Sequence, residues 1–244
     1  MNIIVAENEQ KFDEMAAWEV IGQILKKKDS LIGLSTGQTT GNMHRIVSEI
    51  YESHPFDVSE TLFFNVDEMT NLPRTYPGSC YAMIRSQLLD HLHVPDERFI
   101  MPRTMCDDFE KESREFEKRI LEKGVDLQIL GIGWNGHIGI NQPGTPFGSD
   151  TWVSPMDEIF EARVRKETNV AEDYPLGGLT LGIKTIMQSK RIILAAKGEK
   201  KAEIIRQAVE GPVTEAIPAS VLKLHPNCTV LLDQGAASLL TGEK

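Results

Sequence analysis

Residues 126–144 read DLQILGIGWNGHIGINQPG and join a strongly apolar run to a glycine-rich loop. The run 126–133 is short, rich in Leu and Ile, and ends in glycine, which is typical of a strand buried on both faces. Similar runs occur at 2–7, 31–35, 61–68, 191–197 and 228–233. Residues 126–133 are therefore predicted to form one strand of a parallel sheet.

Segments with helical periodicity separate these runs. They lie at 9–28, 40–53, 79–92, 107–123, 199–210 and 235–241. The alternation predicts an α/β fold of the Rossmann-like type, with a doubly wound, mostly parallel sheet and helices on both faces. No repeat, low-complexity tract or Pro/Gly/Ser-rich linker interrupts the chain, so residues 1–244 are predicted to form a single domain.

The composition restricts the kind of partner. A formal net charge of −10 argues against non-specific binding to nucleic acid. No apolar run has the length of a membrane span, and the three cysteines match no zinc or redox spacing. We expect a cytoplasmic protein with reduced thiols that binds a small molecule rather than nucleic acid or a membrane.

Ligands of doubly wound sheets bind beyond the carboxyl ends of the strands. The first candidate loop is in LIGLSTGQTTGNMHRI (31–46), where glycines and hydroxyls precede a helix. Such a loop suits a phosphate, because glycine permits close approach and the helix N-terminus offers N–H groups. It is neither a Walker A loop nor GxGxxG. A strand-to-helix turn that is merely capped by threonine is the alternative.

Two further strand ends carry ionisable groups. In TLFFNVDEMTNLP (61–73), period-two alternation places Asp67 and Glu68 on opposite faces, so at most one reaches a shared site. A buried carboxylate there suits a base that removes a carbon-bound proton. His137 lies between two glycines in the opening stretch and can exchange protons near neutral pH. The alternatives are a solvated loop start and a packed histidine.

The sequence patterns argue against a metal site and against a catalytic nucleophile. His137 has no second ligand at metal-binding spacing, and the His91–His93 pair is typical of a helix surface. No G-x-S-x-G motif occurs. We therefore expect no metal site.

Taken together, these stretches resemble the glucosamine-6-phosphate deaminase/isomerase family. The resemblance covers nearly the whole chain, in the segments GLSTGQTTG, FNVDEMTNLP, PGSCY, DLQILGIGWNGHIGINQPGT, LTLGIKTI, KGEKKAEIIRQAVEG and IPASVLKLHPNCTVLLD. Related 6-phosphogluconolactonases share the Gly-His motif but usually continue with a Ser-Leu-Phe-Pro-like run. This chain has Ile-Asn-Gln-Pro at 140–143, which favours the aminosugar branch.

The resemblance implies an enzyme that converts glucosamine 6-phosphate, or galactosamine 6-phosphate, to the ketose 6-phosphate and ammonia, with no metal and no organic cofactor. It assigns ring opening to His137, proton transfer to Asp67, and support of the histidine to Asn135 and Gln142. The phosphate-binding residues it implies are Thr36, Gly37, Gln38, Thr39, Lys201 and, by its distance from His137, Lys166.

Several positions depart from the family pattern. Gln142 stands where glutamate is usual, and it cannot supply the charge that stabilises an imidazolium. The phosphate loop reads Gly-Gln-Thr-Thr instead of Gly-Gly-Thr-Pro, and Met69 replaces a common tyrosine. Two other functions therefore stay open, a non-catalytic sugar-phosphate sensor and a lactonase that acts on a phosphorylated sugar acid.

Overall fold

The computed structural model describes residues 1–242. This part of the chain contains ten strands: β1 Asn2–Ala6, β2 Leu31–Leu34, β3 Leu62–Asn65, β4 Asp67–Thr70, β5 Phe99–Ile100, β6 Leu127–Gly131, β7 Trp152–Ser154, β8 Gly177–Thr180, β9 Ile192–Ala196 and β10 Cys228–Asp233. The α-helices are α1 Glu9–Lys26, α2 Gly41–Ser53, α3 Cys80–Ile84, α4 Phe109–Lys123, α5 Glu158–Thr168, α6 Ile183–Ile186 and α7 Ala202–Glu210. A π-helical turn, Arg85–Leu89, continues α3, and short 3₁₀ turns span Asp96–Arg98, Glu199–Lys201 and Pro218–Leu224.

The main sheet has seven parallel strands in the order β1-β10-β9-β6-β2-β3-β5. Its residues alternate between two apolar cores, one on each face. Ile32 packs with α1 and α2 on one face, and Leu31 packs with α4 on the other. Burial on both faces explains why these strands are continuously apolar rather than alternating. The predicted doubly wound α/β fold is confirmed.

The sheet winds outward in two directions from the β2–β6 pair. From β2 it continues to β3 and β5, and from β6 it continues to β9, β10 and β1. The loops that leave the carboxyl ends of β2 and β6 diverge at this point, which opens a crevice where doubly wound folds bind ligands.

A second sheet begins where one strand was predicted to continue. The run 61–68 is interrupted at Val66, and β4 leaves the main sheet to pair antiparallel with β8. With β7, these strands form a small sheet in the order β4-β8-β7. The break places Asp67 at the junction of the two sheets.

Other boundaries also differ from the sequence prediction. The helix expected at 235–241 is absent: residues 235–239 form turns, and 240–241 have no regular structure. The helix expected at 79–92 is α for one turn and then π, and α5, β5, β7 and β8 were not predicted. The missed strands are only two to four residues long, so they present too little periodicity to be recognised. In the described part of the chain, no helix is both long and apolar enough to cross a membrane.

Candidate active site

A cavity of about 540 Å³ lies at the carboxyl edge of the main sheet. Four strand ends contribute to it. The loop after β2 supplies Thr36–Thr39, and the break that follows β3 supplies Asp67, the first residue of β4. The loop after β6 supplies His137, and the loop after β9 supplies Lys201. The three strand ends that were singled out in the sequence therefore meet in one place, together with a lysine.

The loop after β2 lines this cavity, and several of its backbone N–H groups have no acceptor within the described residues. Gly37 has a φ of 124°, a conformation that glycine adopts at little cost. The N–H groups of Gly37, Gln38 and Thr39 donate to no acceptor within residues 1–242. The Thr40 hydroxyl donates to the Ser35 carbonyl and does not cap α2. Free N–H groups at the start of a helix form an anion-binding arrangement, so the simple capped turn is the poorer description.

Lys201 adds a positive charge to the lining of the same cavity. Its ammonium group donates to the Ile132 carbonyl at 2.7 Å, and burial lowers the pKa of the lysine. No carboxylate within residues 1–242 lies at ion-pair distance from it. An unneutralised, partly buried ammonium group is suited to bind an anion.

Lys197 also lines the cavity, and the sequence patterns did not point to it. Its Nζ lies 2.8 Å from Asp13 Oδ1 and 2.9 Å from Glu9 Oε1, so two carboxylates already neutralise its charge. Asp13 is buried, and it also accepts from Asn42 at the start of α2. Lys197 directly follows β9, so the rule that located the other strand-end residues applies to it as well.

Asp67, the first residue of β4, lines the cavity, and among the described residues Glu9 of α1 is the only other carboxylate that does. Its Oδ1 accepts from Asn65 Nδ2 at 3.2 Å and from Cys80 Sγ at 3.4 Å. Burial raises the pKa of Asp67 to about 6, although both hydrogen bonds oppose the rise. A carboxylate with this pKa is ionised at neutral pH and is a stronger base than an exposed aspartate.

Glu68 points away from the cavity, as the period-two alternation predicts. It accepts from the backbone N–H groups of Met69, Cys80 and Tyr81 and so anchors the first turn of α3 beside β4. Burial raises the pKa of Glu68 to about 7. Its role in the fold is to hold Cys80 against Asp67.

His137 is held by a chain of amides. Asn135 Oδ1 accepts from the backbone N–H of His137 at 3.3 Å and contacts His137 Nδ1 at 2.8 Å. Because Oδ1 is an acceptor, Nδ1 must carry the hydrogen, and Nε2 keeps its lone pair. Asn135 Nδ2 in turn donates to Gln142 Oε1 at 3.0 Å. Burial lowers the pKa of His137, so the ring is neutral at pH 7.

A glycine makes room for this ring. A Cβ built on Gly133 would lie 2.2 Å from a carbon of the His137 imidazole. The backbone after β6 can therefore approach the ring only at a residue without a side chain. This steric requirement explains why a glycine precedes the histidine by four positions.

The predicted residues divide into three groups. Asp67, His137, Lys201 and the loop Thr36–Thr39 line the cavity. Asn135 and Gln142 do not line it and reach it only through His137. Lys166 lies exposed on α5 and is not among the lining residues, so the structure does not bring it into the site. The number of residues between His137 and Lys166 did not predict the position of Lys166, because α5 belongs to a segment that packs around the small sheet.

The described residues contain no group of three His, Cys, Asp or Glu side chains placed to hold a metal ion.

The sequence is similar along nearly its whole length to proteins named as glucosamine-6-phosphate deaminases. The chain is 37% identical over 241 residues to a glucosamine-6-phosphate deaminase of Clostridium botulinum (strain Loch Maree / Type A3), covering 98% of this chain and 99% of the relative. It is 38% identical over 241 residues to the deaminase of the Alaska E43 / Type E3 strain, with 98% and 97% covered.

Solved structures give the same fold. A monomeric glucosamine-6-phosphate deaminase superposes with a TM-score of 0.91 at 34% identity and covers 98% of this chain and 100% of its own. The 6-phosphogluconolactonase from Trypanosoma cruzi superposes at 0.78 with 20% identity, over 99% and 97% of the two chains, which shows the fold alone. A family model described as glucosamine-6-phosphate isomerases/6-phosphogluconolactonase matches residues 9–231, and the chain belongs to that family.

Proposed function

We propose that this protein is an aminosugar-6-phosphate deaminase that converts glucosamine 6-phosphate to the ketose 6-phosphate and ammonia, with galactosamine 6-phosphate as the alternative substrate. One observation carries the proposal: Asp67 and His137 line the same cavity as Lys201 and the loop that presents backbone N–H groups. The 37% identical relatives are named as enzymes of this activity.

Ring opening is the proposed role of His137. Its Nδ1–H is held by Asn135, so Nε2 is the atom that can exchange a proton with the substrate. A neutral imidazole can take the proton of the anomeric hydroxyl and return a proton to the ring oxygen, which gives the open-chain aldehyde. The amide chain fixes the tautomer that this step requires.

Isomerisation and deamination follow at C1 and C2. The Asp67 carboxylate takes the C2 proton, and the protonated carboxyl returns a proton to C1. The product is a ketimine at C2. Addition of water to the C=N bond and loss of ammonia leave the ketose, so one water is consumed for each ammonia released. The base and the histidine act in different steps, which permits their variants to be separated experimentally.

The direct test is ammonia release from glucosamine 6-phosphate and galactosamine 6-phosphate, measured side by side with hydrolysis of 6-phosphogluconolactone. Turnover of either aminosugar supports the proposal and identifies the epimer. Hydrolysis of the lactone without ammonia release would instead favour a lactonase. Binding of the sugar phosphates without turnover of any of the three would favour a sensor.

Replacement of Lys201 by Met is expected to raise KM about 10- to 100-fold, because it removes a charged hydrogen bond to the phosphate. The kcat should change much less, since the phosphate does not take part in the reaction. Steady-state kinetics over a range of substrate concentrations measure both values. Lys200→Met is the matched control, because Lys200 is exposed on the same turn and does not line the cavity. Equal effects of the two substitutions would contradict the assignment.

Replacement of Gln142 by Glu is expected to raise kcat by about tenfold if ring opening limits the native protein. A carboxylate at 142 can still accept from Asn135 Nδ2, and its charge raises the pKa of His137. Because neutral His137 is the active form, the acid limb of the pH profile of kcat should move upward with that pKa. Gln142→Ala, which removes the acceptor without adding charge, is the control and should not raise kcat. An unchanged acid limb in Gln142→Glu would refute the coupling between position 142 and His137.

A further inference from the structure

The Cys80 thiol contacts both the proposed base, Asp67, and the proposed phosphate-binding loop, at Thr36. Its Sγ lies 3.4 Å from Asp67 Oδ1 and 3.2 Å from Thr36 Oγ1 in the loop after β2. Cys80 is 6% exposed and does not line the cavity. Any effect of this thiol on a substrate must therefore pass through Asp67 or Thr36.

The direction of the hydrogen bonds follows from the groups involved. An ionised carboxylate only accepts, and a thiol has a single hydrogen. The Cys80 S–H therefore donates to Asp67, and the Thr36 hydroxyl donates to the sulfur. Burial and the carboxylates of Glu68 and Asp67 raise the pKa of the Cys80 thiol, so this hydrogen stays on sulfur at neutral pH.

The two oxygens of Asp67 are not equivalent. Oδ1 accepts from both Cys80 and Asn65, whereas Oδ2 receives no hydrogen bond within residues 1–242. Two donors on one oxygen restrain rotation of the carboxylate about its terminal bond. The other oxygen keeps its lone pairs available for a proton.

We propose that Cys80 is a positioning residue for isomerisation: its thiol orients the Asp67 carboxylate so that Oδ2 takes the C2 proton, and it links that orientation to Thr36. The inference rests on the proposed function. Glu68 assists from behind, because its carboxylate holds the N–H of Cys80 at 3.0 Å. The phosphate loop and the base are thereby fixed to one another through a single sulfur atom.

Five other titratable groups lie around Asp67 besides Cys80. Glu68 lies on the same strand, and the others line the same cavity: Glu9, His137, Lys197 and Lys201. Within residues 1–242, none of these five side chains donates a hydrogen bond to the Asp67 carboxylate, whereas Cys80 does. Removal of the thiol should therefore act on the ionisation of Asp67 directly.

The test compares Cys80→Ala and Cys80→Ser in the pH profile of kcat/KM. Loss of a donor to the ionised carboxylate raises the pKa of Asp67, so the acid limb should move up by about half a unit to one unit in Cys80→Ala. The kcat at pH 8 should fall about tenfold with KM nearly unchanged, because the base is misoriented. Cys80→Ser retains a donor and should restore most of both. Cys228→Ala, which removes a buried thiol at the other end of the sheet, should change neither. An unmoved acid limb in Cys80→Ala would overturn the proposal.

A second measurement needs neither turnover nor a substitution of Cys80. In a Cys106→Ala/Cys228→Ala protein, Cys80 is the only remaining thiol of the three. Its infrared S–H stretching band should shift as the pH passes through about 6, where Asp67 titrates. A band that does not shift would refute the inference while normal ammonia release left the proposed function intact. A band that shifts in a protein without turnover would refute the proposed function, and the catalytic role of Cys80 with it.

Discussion

Replacement of Asp67 by Asn is expected to lower kcat about 10²- to 10⁴-fold, the usual contribution of a positioned general base. The amide has nearly the same size and can still accept from Cys80, but it cannot take the C2 proton. KM should change little, because the phosphate loop and Lys201 remain. Ammonia release from the substrate that the native protein turns over measures both constants.

The pH profile supplies the control for this variant. Asp67 has a pKa raised to about 6 and acts in its ionised form, so kcat/KM of the native protein should fall as the pH drops through about 6. That limb should be absent from the residual activity of Asp67→Asn. Exchange of the C2 hydrogen with solvent deuterium should be lost to the same extent as ammonia release. Retention of rapid exchange would show that another group is the base.

Replacement of His137 by Gln is expected to lower kcat about 10²-fold or more on the cyclic substrate, because glutamine can hydrogen-bond to the sugar but cannot exchange a proton with it. The open-chain steps at Asp67 should remain intact. Ring opening should then limit the rate completely. Steady-state ammonia release from substrate deuterated at C2, compared with unlabelled substrate, reports which step is limiting.

The isotope effect distinguishes the two residues. In His137→Gln it should approach unity, because the C–H bond is broken after the slow step. In Asp67→Asn it should be large, because proton removal itself is slow. Equal isotope effects in the two variants would mean that His137 and Asp67 contribute to the same step, and the proposed separation of roles would be wrong.

Much of the fold could be predicted because six of the seven main-sheet strands lie in continuous apolar runs, and only the two-residue β5 does not. The positions of Asp67, His137 and Thr36 followed from one topological rule, that parallel strands present their carboxyl ends at one edge. The prediction that Asp67 and Glu68 point to opposite faces followed from the alternation of side chains along a β-strand. These inferences use local patterns that the sequence displays directly.

The remainder depends on contacts between distant segments. The partner of Asp67 is Cys80, which is thirteen positions away and is placed by the Glu68 carboxylate. Lys197 enters the cavity because Asp13 and Glu9 of α1 hold it there. Lys166 was carried over from spacing along the chain, and the fold of α5 leaves it exposed outside the cavity. No periodicity encodes such pairings, since each is decided when two elements pack.

The break at Val66 separates the residues proposed to bind phosphate from β4, the strand that carries the proposed base Asp67. Every residue proposed to bind phosphate follows a strand of the main sheet, whereas β4, which begins at Asp67, pairs with β8 and β7. Within residues 1–242, Asp67 is the only residue of β4, β7 and β8 that lines the cavity. Substitutions in β7 or β8 can therefore move the proposed base without touching the anion-binding loop. We expect related chains to vary more in β7 and β8 than in that loop, with Asp67 at the border between the two sheets.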